Sequence, residues 1–267
     1  MTRLPSVFVS HGAPTFALEP GRAGEELGRL GRSLPRPKAV VVLSPHWVTR
    51  DVSVTSSTQP RTIHDFGGFG AELEALQYPA PGEPSVAQRA LLLLAAGGWT
   101  VSAHSSRGLD HGAWVPLMHM FPAADVPVVQ VSMPSTLDPA SAVRMGRALA
   151  PLADEGVLLV GSGSLTHNLY EFRMDQTEDL AYAAEFAAWA RQAVRTHDET
   201  ALVDFLKRAP SAQRAHPTPD HYLPLPFAYG AAAPGSEVAI LEGGIRYGVL
   251  SMDSYVFGAV ADITAPA

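Results

Sequence analysis

Short runs rich in Val, Ile and Leu alternate along the chain with segments of helical periodicity. This alternation is typical of βα units, in which helices cover both faces of a largely parallel sheet. Strands are predicted over 6–10, 39–44, 52–55, 100–103, 126–131, 157–160 and 237–241. Helices are predicted over 24–30, 85–96, 139–152, 178–196 and 199–207. We therefore expect one α/β domain over 1–267, with a central, mostly parallel (mixed) sheet flanked by helices.

The composition excludes several classes of protein. A net charge of −7 argues against nucleic acid or an anionic membrane as a partner. Because the chain has no cysteine, any metal would have to be held by His, Asp or Glu. The charged fraction of 17% is low for a globular chain, which points to surface buried in a homo-oligomer. The opening residues MTRLPSVFVSHG carry no secretory pattern, so a cytoplasmic location is expected.

Three of the predicted strands lead to a histidine. His11 directly follows the first strand, His46 lies just beyond the second, and His167 follows the sixth through the segment GSGSLTHN. In open α/β sheets ligands bind outside the carboxyl ends of the strands. Neutral imidazole is the commonest protein ligand for transition metals. The sequence therefore predicts a metal crevice at this edge of the sheet. A fourth predicted strand leads to His104 and to a loop that carries His111.

His221 is a further ligand candidate, in the segment TPDHYLPL. Thr218 fits the N-cap of a helix and Pro219 its first position, which would place His221 in the first helical turn. The helix dipole would then favour the neutral, ligating form of the imidazole. His216 is a competing candidate, and we interpret it as a residue of an exposed loop.

Three more polar residues are candidates for the wall of the same pocket. His111, in LDHGAW, would donate a hydrogen bond to a substrate oxygen. His64 and Asp65, in IHDFGGF, would contact a polar substrate tail from the Gly/Pro-rich stretch 59–84. Hydrogen bonding within the loops is an equal alternative for each of them. Packing or surface roles are expected for the remaining histidines, His104, His119 and His197.

Together these segments resemble the class III extradiol ring-cleaving dioxygenases, in the DOPA 4,5-dioxygenase (DODA-like) branch of the LigB superfamily. The matching segments are VSHGAPT, VVLSPHWVTR, TIHDFGGF, YPAPG, GLDHGAWVPL, GSGSLTHNL and TPDHYLPL. They extend in this order from near the start of the chain to about Leu225. The resemblance implies an α/β fold with one non-haem metal, which is Fe(II) in active enzymes and often Zn(II) as isolated.

The resemblance also implies roles for individual residues. His11, His46 and His221 match the metal ligands, and His167 matches the catalytic histidine, described in some members as part of the metal site. His111 matches a histidine that contacts substrate. Unlike oxygenases with two histidines and a carboxylate, this set has three imidazoles. The metal site therefore carries one more positive charge, which should favour binding of a catecholate dianion. Three imidazoles should also favour Zn(II), so both Fe(II) and Zn(II) are candidates for the native metal.

The implied reaction is cleavage of a catechol ring, DOPA- or caffeate-like, by O2 to a ring-opened semialdehyde. Two alternatives use the same pocket. One is a zinc-dependent hydrolase, with metal-bound water as nucleophile and His167 or Asp65 as base. The other is a non-catalytic binding protein that retains the metal pocket, since a fold by itself does not determine function.

Overall fold

The centre of the structure, a computed structural model that describes residues 3–260 and residue 263, is an eight-stranded mixed sheet. Its strands follow the order β4-β3-β5-β2-β6-β1-β10-β7. The bounds are β1 Ser6–Ser10, β2 Ala39–Thr49, β3 Val52–Thr55, β4 Val101–His104, β5 Val128–Pro134, β6 Val157–Gly163, β7 Val238–Leu241 and β10 Ser254–Phe257. Two short strands, β8 Ile245–Arg246 and β9 Leu250–Ser251, form a separate hairpin pair.

The middle of the sheet is parallel. Strands β5, β2, β6 and β1 pair in parallel, and β10 joins antiparallel between β1 and β7. On the other side β3 is antiparallel to β5 and parallel to β4. The predicted α/β fold with a mostly parallel mixed sheet is confirmed. Because β4 runs against the central strands, it does not carry His104 to their carboxyl edge.

Helices cover both faces of the sheet. Their bounds are α1 Gly21–Ser33, α2 Ala71–Ala75, α3 Pro84–Ala96, α4 His111–Met120, α5 Pro139–Leu149, α6 Pro151–Asp154, α7 Ala181–Arg195, α8 Glu199–Val203, α9 Phe205–Arg208, α10 Ala212–Ala215 and α11 Pro224–Ala231. Alternate residues of β2 face opposite layers of helices. Val40 and Val42 pack with α1, α4 and α7, whereas Val41 and Leu43 pack with α3, α5 and α11. This explains the unbroken apolar run of β2.

Two predicted helices are interrupted in the structure. The predicted helix 139–152 ends at Leu149 and restarts at Pro151, which has no backbone N–H to donate and fits the first position of a new helix. The predicted helix 199–207 is divided at Asp204, between α8 and α9. The predicted domain span of 1–267 includes 1–2, 261–262 and 264–267, which lie outside the described residues.

Among residues 3–260 and 263, none of the helices combines the length and apolar character needed to cross a bilayer.

Candidate metal centre

Three histidines meet at the carboxyl edge of the parallel strands. His11 directly follows β1, His46 lies near the end of β2, and His221 lies in the turn before α11. One ring nitrogen of each lies within 4.8 Å of the others. The Nε2 atoms of His11 and His46 are 3.1 Å apart. The side chains of His11 and His221 are almost completely buried.

The second ring nitrogen of each histidine faces an oxygen. Ser162 donates its hydroxyl to the carbonyl of Gly112, so its oxygen accepts from Nδ1–H of His11 at 3.0 Å. Nδ1 of His221 donates to Asp220 Oδ2 at 2.6 Å. Nδ1 of His46 lies 3.4 Å from Asp65 Oδ2. The hydrogen bonds of His11 and His221 place their ring protons on Nδ1, and the carboxylate near Nδ1 of His46 favours the same tautomer there, which leaves the Nε2 lone pairs for a ligand.

This donor set fits a transition metal ion. Two Nε2 lone pairs that face each other repel unless something positive lies between them. Two nitrogens bound at ~2.1 Å to one ion are ~3.0–3.4 Å apart for octahedral or tetrahedral angles. The 3.1 Å separation of His11 and His46 agrees with that geometry. Burial and the neighbouring imidazoles hold the pKa of His11 well below its ordinary range and lower that of His46 to about 2, so both are neutral, as ligation requires.

A glycine allows α4 to approach the two ligands closely. A Cβ added at Gly112 would lie 2.4 Å from Ser44 Oγ, 2.9 Å from His46 Cδ2 and 3.2 Å from His11 Cε1. The predicted end of the second strand at Ser44 is wrong, because β2 continues to Thr49 with a shift in its register to β5 between Leu43 and Val48. This irregularity aims His46 into the site.

His167 lies beside the three-histidine cluster. Its ring stacks on that of His221, with centroids 3.5 Å apart and planes inclined by 6°. Its backbone N–H donates to the carbonyl of Ala215 at 2.8 Å, which joins the loop after β6 to the segment before His221. Burial, with a further contribution from His221, lowers the pKa of His167 to about 2. The ring is therefore neutral near neutral pH.

His111 is the first residue of α4. Asp110 caps this helix by accepting from the backbone N–H of Ala113 at 3.2 Å. Asp110 is fully buried, where burial raises its pKa, and Ser44 donates to it at 2.8 Å. The predicted loop position of His111 is therefore wrong, and the cap explains how a helix start presents this imidazole. The His111 ring centroid lies 4.0 Å from that of His46.

Asp65 contacts histidines of the site and His64 directly precedes it in the chain, but neither side chain is free of partners. His64 Nε2 faces the carbonyl of Leu76 at 2.9 Å. Asp65 accepts from the backbone N–H of His111 at 2.9 Å and from its Nδ1 at 3.0 Å. Burial would raise the pKa of Asp65, but its bonds and charge interaction with His111 hold it at about 2. A direct substrate contact by either residue stays a prediction.

Two expectations about the His221 region are wrong. The helix does not begin near Thr218; it begins at Pro224, so His221 lies in a preceding turn and not in a first helical turn. Pro224, which has no backbone N–H to donate, is the first residue of this helix. His216 is not an exposed loop residue but is 2% exposed, with Nε2 at 2.9 Å from the carbonyl of Leu165. His216 thus supports the loop of His167 from outside the cluster.

The burial of His216 has a consequence for stability at low pH. Burial lowers its pKa from 6.5 to about 4, so its stabilising contribution is complete above pH 6.5 and is lost as the pH falls through 4. We expect His216→Phe apoprotein to lose about 2 kcal/mol less free energy of unfolding than the wild type between about pH 7.5 and pH 5. Urea unfolding of both proteins measures this difference, and equal pH dependence would contradict it.

The sequence alone did not reveal the residues that orient the ligands. Ser162 is a small residue in a strand and Asp220 is an acidic neighbour of His221, so neither belongs to a motif that predicts this role. The adjacent positions of Asp220 and His221 were an available signal, since a carboxylate next to a ligand commonly fixes its tautomer. Ser162 had no such signal, because it lies 151 residues from His11 along the chain.

Comparisons with known proteins identify the family of this chain. A family model described as the catalytic LigB subunit of aromatic ring-opening dioxygenase matches residues 9–258. A 4,5-DOPA dioxygenase extradiol of Beta vulgaris is 40% identical over 254 residues, 94% of this chain and 95% of the relative. One of Escherichia coli (strain K12) is 40% identical over 261 residues, 96% of each. The crystal structure of an uncharacterized protein from Escherichia coli K12 matches with a TM-score of 0.81 and 35% identity, over 96% of this chain and 100% of that one.

The chain therefore belongs to the LigB family of aromatic ring-opening dioxygenases. Within that family it falls in the class III, DODA-like branch, and it is an extradiol ring-opening dioxygenase, an oxidoreductase. Enzymes of this family use a metal ion and act on a small molecule with O2. The predicted resemblance is confirmed, and the dioxygenase is favoured over the hydrolase and the binding protein.

Proposed function

We propose that the protein cleaves the ring of a catechol, DOPA- or caffeate-like, with O2 to a ring-opened semialdehyde, and that Fe(II) is the metal of the active enzyme. The observation that carries this proposal is the convergence of His11, His46 and His221 beside His167. Relatives named 4,5-DOPA dioxygenase extradiol support the substrate class. Zn(II) is the expected metal of the protein as isolated, because three neutral imidazoles also suit zinc.

In this proposal His11, His46 and His221 hold the ion through Nε2. Bound Fe(II) would supply a site for catecholate and O2 and the electron transfer between them. The protein supplies the arrangement around it. The Nδ1 contacts of the three rings keep their lone pairs directed to one point. We include His167 among the metal-site residues because its ring stacks on His221.

We assign the catalytic proton transfers to His167 and His111. His167 is neutral in the structure and would accept the proton of a catechol hydroxyl. The negative charge of a bound catecholate would raise the low pKa of His167 towards the working range, so that it could return the proton later. In His111 the Nδ1–H is committed to Asp65, so Nε2 first accepts from substrate and donates only once protonated.

Further parts of the proposal concern the surroundings of the reaction. His64 and Asp65 lie in the segment that borders the site, and we propose that this segment contacts the polar tail of the catechol. The low charged fraction of 17% supports a homo-oligomer. We propose a single catalytic domain over 1–267 and a cytoplasmic location for the protein.

Anaerobic reconstitution tests the proposed function. Metal-free protein is loaded with Fe(II), mixed with DOPA or caffeate, and then exposed to O2. We expect O2 uptake together with a yellow ring-opened product, and neither with Zn(II) in place of iron. Ester hydrolysis by the zinc form without O2 would instead indicate the hydrolase. Catechol binding by the Fe(II) form without O2 uptake would contradict catechol cleavage.

A further inference from the structure

One carboxylate of the site contacts two different histidines. Asp65 Oδ2 is 3.0 Å from Nδ1 of His111 and 3.4 Å from Nδ1 of His46. Its other oxygen accepts from the backbone N–H of His111 at 2.9 Å. The acceptors of the other two clustered rings, Ser162 and Asp220, each face a single ring. Asp65 is therefore shared between a proposed metal ligand and a proposed proton carrier.

The backbone contact fixes the orientation of this carboxylate. The N–H of His111 is the first amide of α4, and the amides of a first helical turn have no partner within the helix. The two bonds to His111 close a ring between Asp65 and the start of the helix. The shared oxygen is thereby held between the imidazoles of His46 and His111, whose ring centroids are 4.0 Å apart.

A carboxylate accepts hydrogen bonds and has no hydrogen to donate. His111 must therefore present Nδ1–H to Asp65, and the negative charge 3.4 Å from Nδ1 of His46 favours the same tautomer there, which leaves both Nε2 atoms as lone pairs. For His46 this is the form that binds a metal ion. For His111 it is the form that accepts a proton from substrate. An amide or hydroxyl at the same place would permit the opposite tautomers.

We propose that Asp65 is a positioning residue that sets the tautomers of His46 and His111 together, through one shared oxygen. This assignment rests on the proposed function for the roles of the two histidines. It differs from the predicted contact of Asp65 with a substrate tail, because both carboxylate oxygens are directed at protein donors. Removing the carboxylate should therefore alter a metal ligand and a substrate-side group at once.

The variant Asp65→Asn tests this assignment. Its amide oxygen can keep the bond to the backbone N–H of His111, which turns the NH2 group towards the two Nδ1 atoms. We expect His111, and His46 when no metal is bound, to change to the Nε2–H tautomer. The Kd for Zn(II) should rise about 10–100-fold, as for other partners of metal ligands. Asp65→Glu, which keeps the carboxylate, should restore part of the affinity.

Two measurements on protein without catechol or O2 decide the outcome. Ring 15N spectra of metal-free protein report each tautomer, with signals assigned from His46→Asn and His111→Asn. Chelator competition gives the Kd for Zn(II). Asp220→Asn is the matched control, because Asp220 accepts from Nδ1 of His221 and is not a partner of His46 or His111. It should weaken Zn(II) binding while the His111 tautomer stays unchanged.

The proposal would be overturned by wild-type tautomers of His46 and His111 in Asp65→Asn. It would also be overturned if Asp220→Asn changed the His111 tautomer to the same extent. If Asp65→Asn does not fold, Asp65→Ser provides the same comparison. Neither measurement depends on turnover, so a wild-type protein that cleaves no catechol would contradict the proposed function and leave this result standing.

Discussion

Replacing His167 with alanine is expected to lower kcat for catechol cleavage by about 10²–10⁴-fold, the usual contribution of a general base. The ring accepts the substrate proton in our proposal, and no other neutral imidazole is stacked on a ligand ring within 3–260 and 263. Metal content should stay close to that of the wild type, because His11, His46 and His221 are unchanged. Steady-state O2 uptake and metal analysis of the same sample check both parts.

The control for this variant is His197→Asn. His197 has a φ of +51° at the end of α7, a conformation that Asn tolerates well, and its side chain lies outside the cluster. This control should retain wild-type kcat. Full activity of His167→Ala would show that another group accepts the proton of the substrate hydroxyl. Loss of metal from His167→Ala would instead make His167 a ligand, a role that its contact with His221 also permits.

Replacing His11 with alanine is expected to weaken metal binding and to lower turnover sharply. A bound transition metal contributes about 10–16 kcal/mol over four ligands in small zinc sites, so one ligand accounts for about 3 kcal/mol, or about 10²-fold in Kd. His11 is also the ligand with the least exposure to solvent, so water replaces its nitrogen poorly. Equilibrium dialysis with Zn(II) and with Fe(II) measures the loss.

The matched control is His119→Gln. His119 is a partly buried histidine on α4. Its Nε2 faces the carbonyl of Phe16 and not the cluster. This variant should bind metal as the wild type does. If His11→Ala held one equivalent of metal with unchanged Kd, the three-histidine assignment would be wrong, whatever the activity of the protein.

Much of the fold could be predicted from the sequence, because strands and helices depend on local patterns. The seven predicted strands all occur, with ends shifted by a few residues. Strand β10 was missed, since Ser254–Phe257 is short and follows no turn signal, yet it lies in the sheet between β1 and β7. Its place depends on pairing with β1 across almost the whole chain, which no local pattern reports.

The histidines were also accessible from the sequence, because a residue that follows a parallel strand reaches the carboxyl edge whatever the rest of the chain does. His11, His46 and His167 were found in this way. The prediction of an exposed loop position for His216 was wrong, because its burial depends on residues that are distant along the chain. Its neighbours Phe186, Phe205 and Tyr222 come from separate elements, so its burial was invisible until they packed together.

The amino-acid sequence by itself determined the α/β sheet, the absence of thiolate ligands and the supply of imidazoles at one edge. Only the tertiary structure decided which ring nitrogens face the centre. That choice depends on oxygens of Ser162, Asp65 and Asp220, which hydrogen-bond or lie close to Nδ1 of the rings. Strand and helix patterns follow from neighbours along the chain, whereas a tautomer follows from neighbours in space.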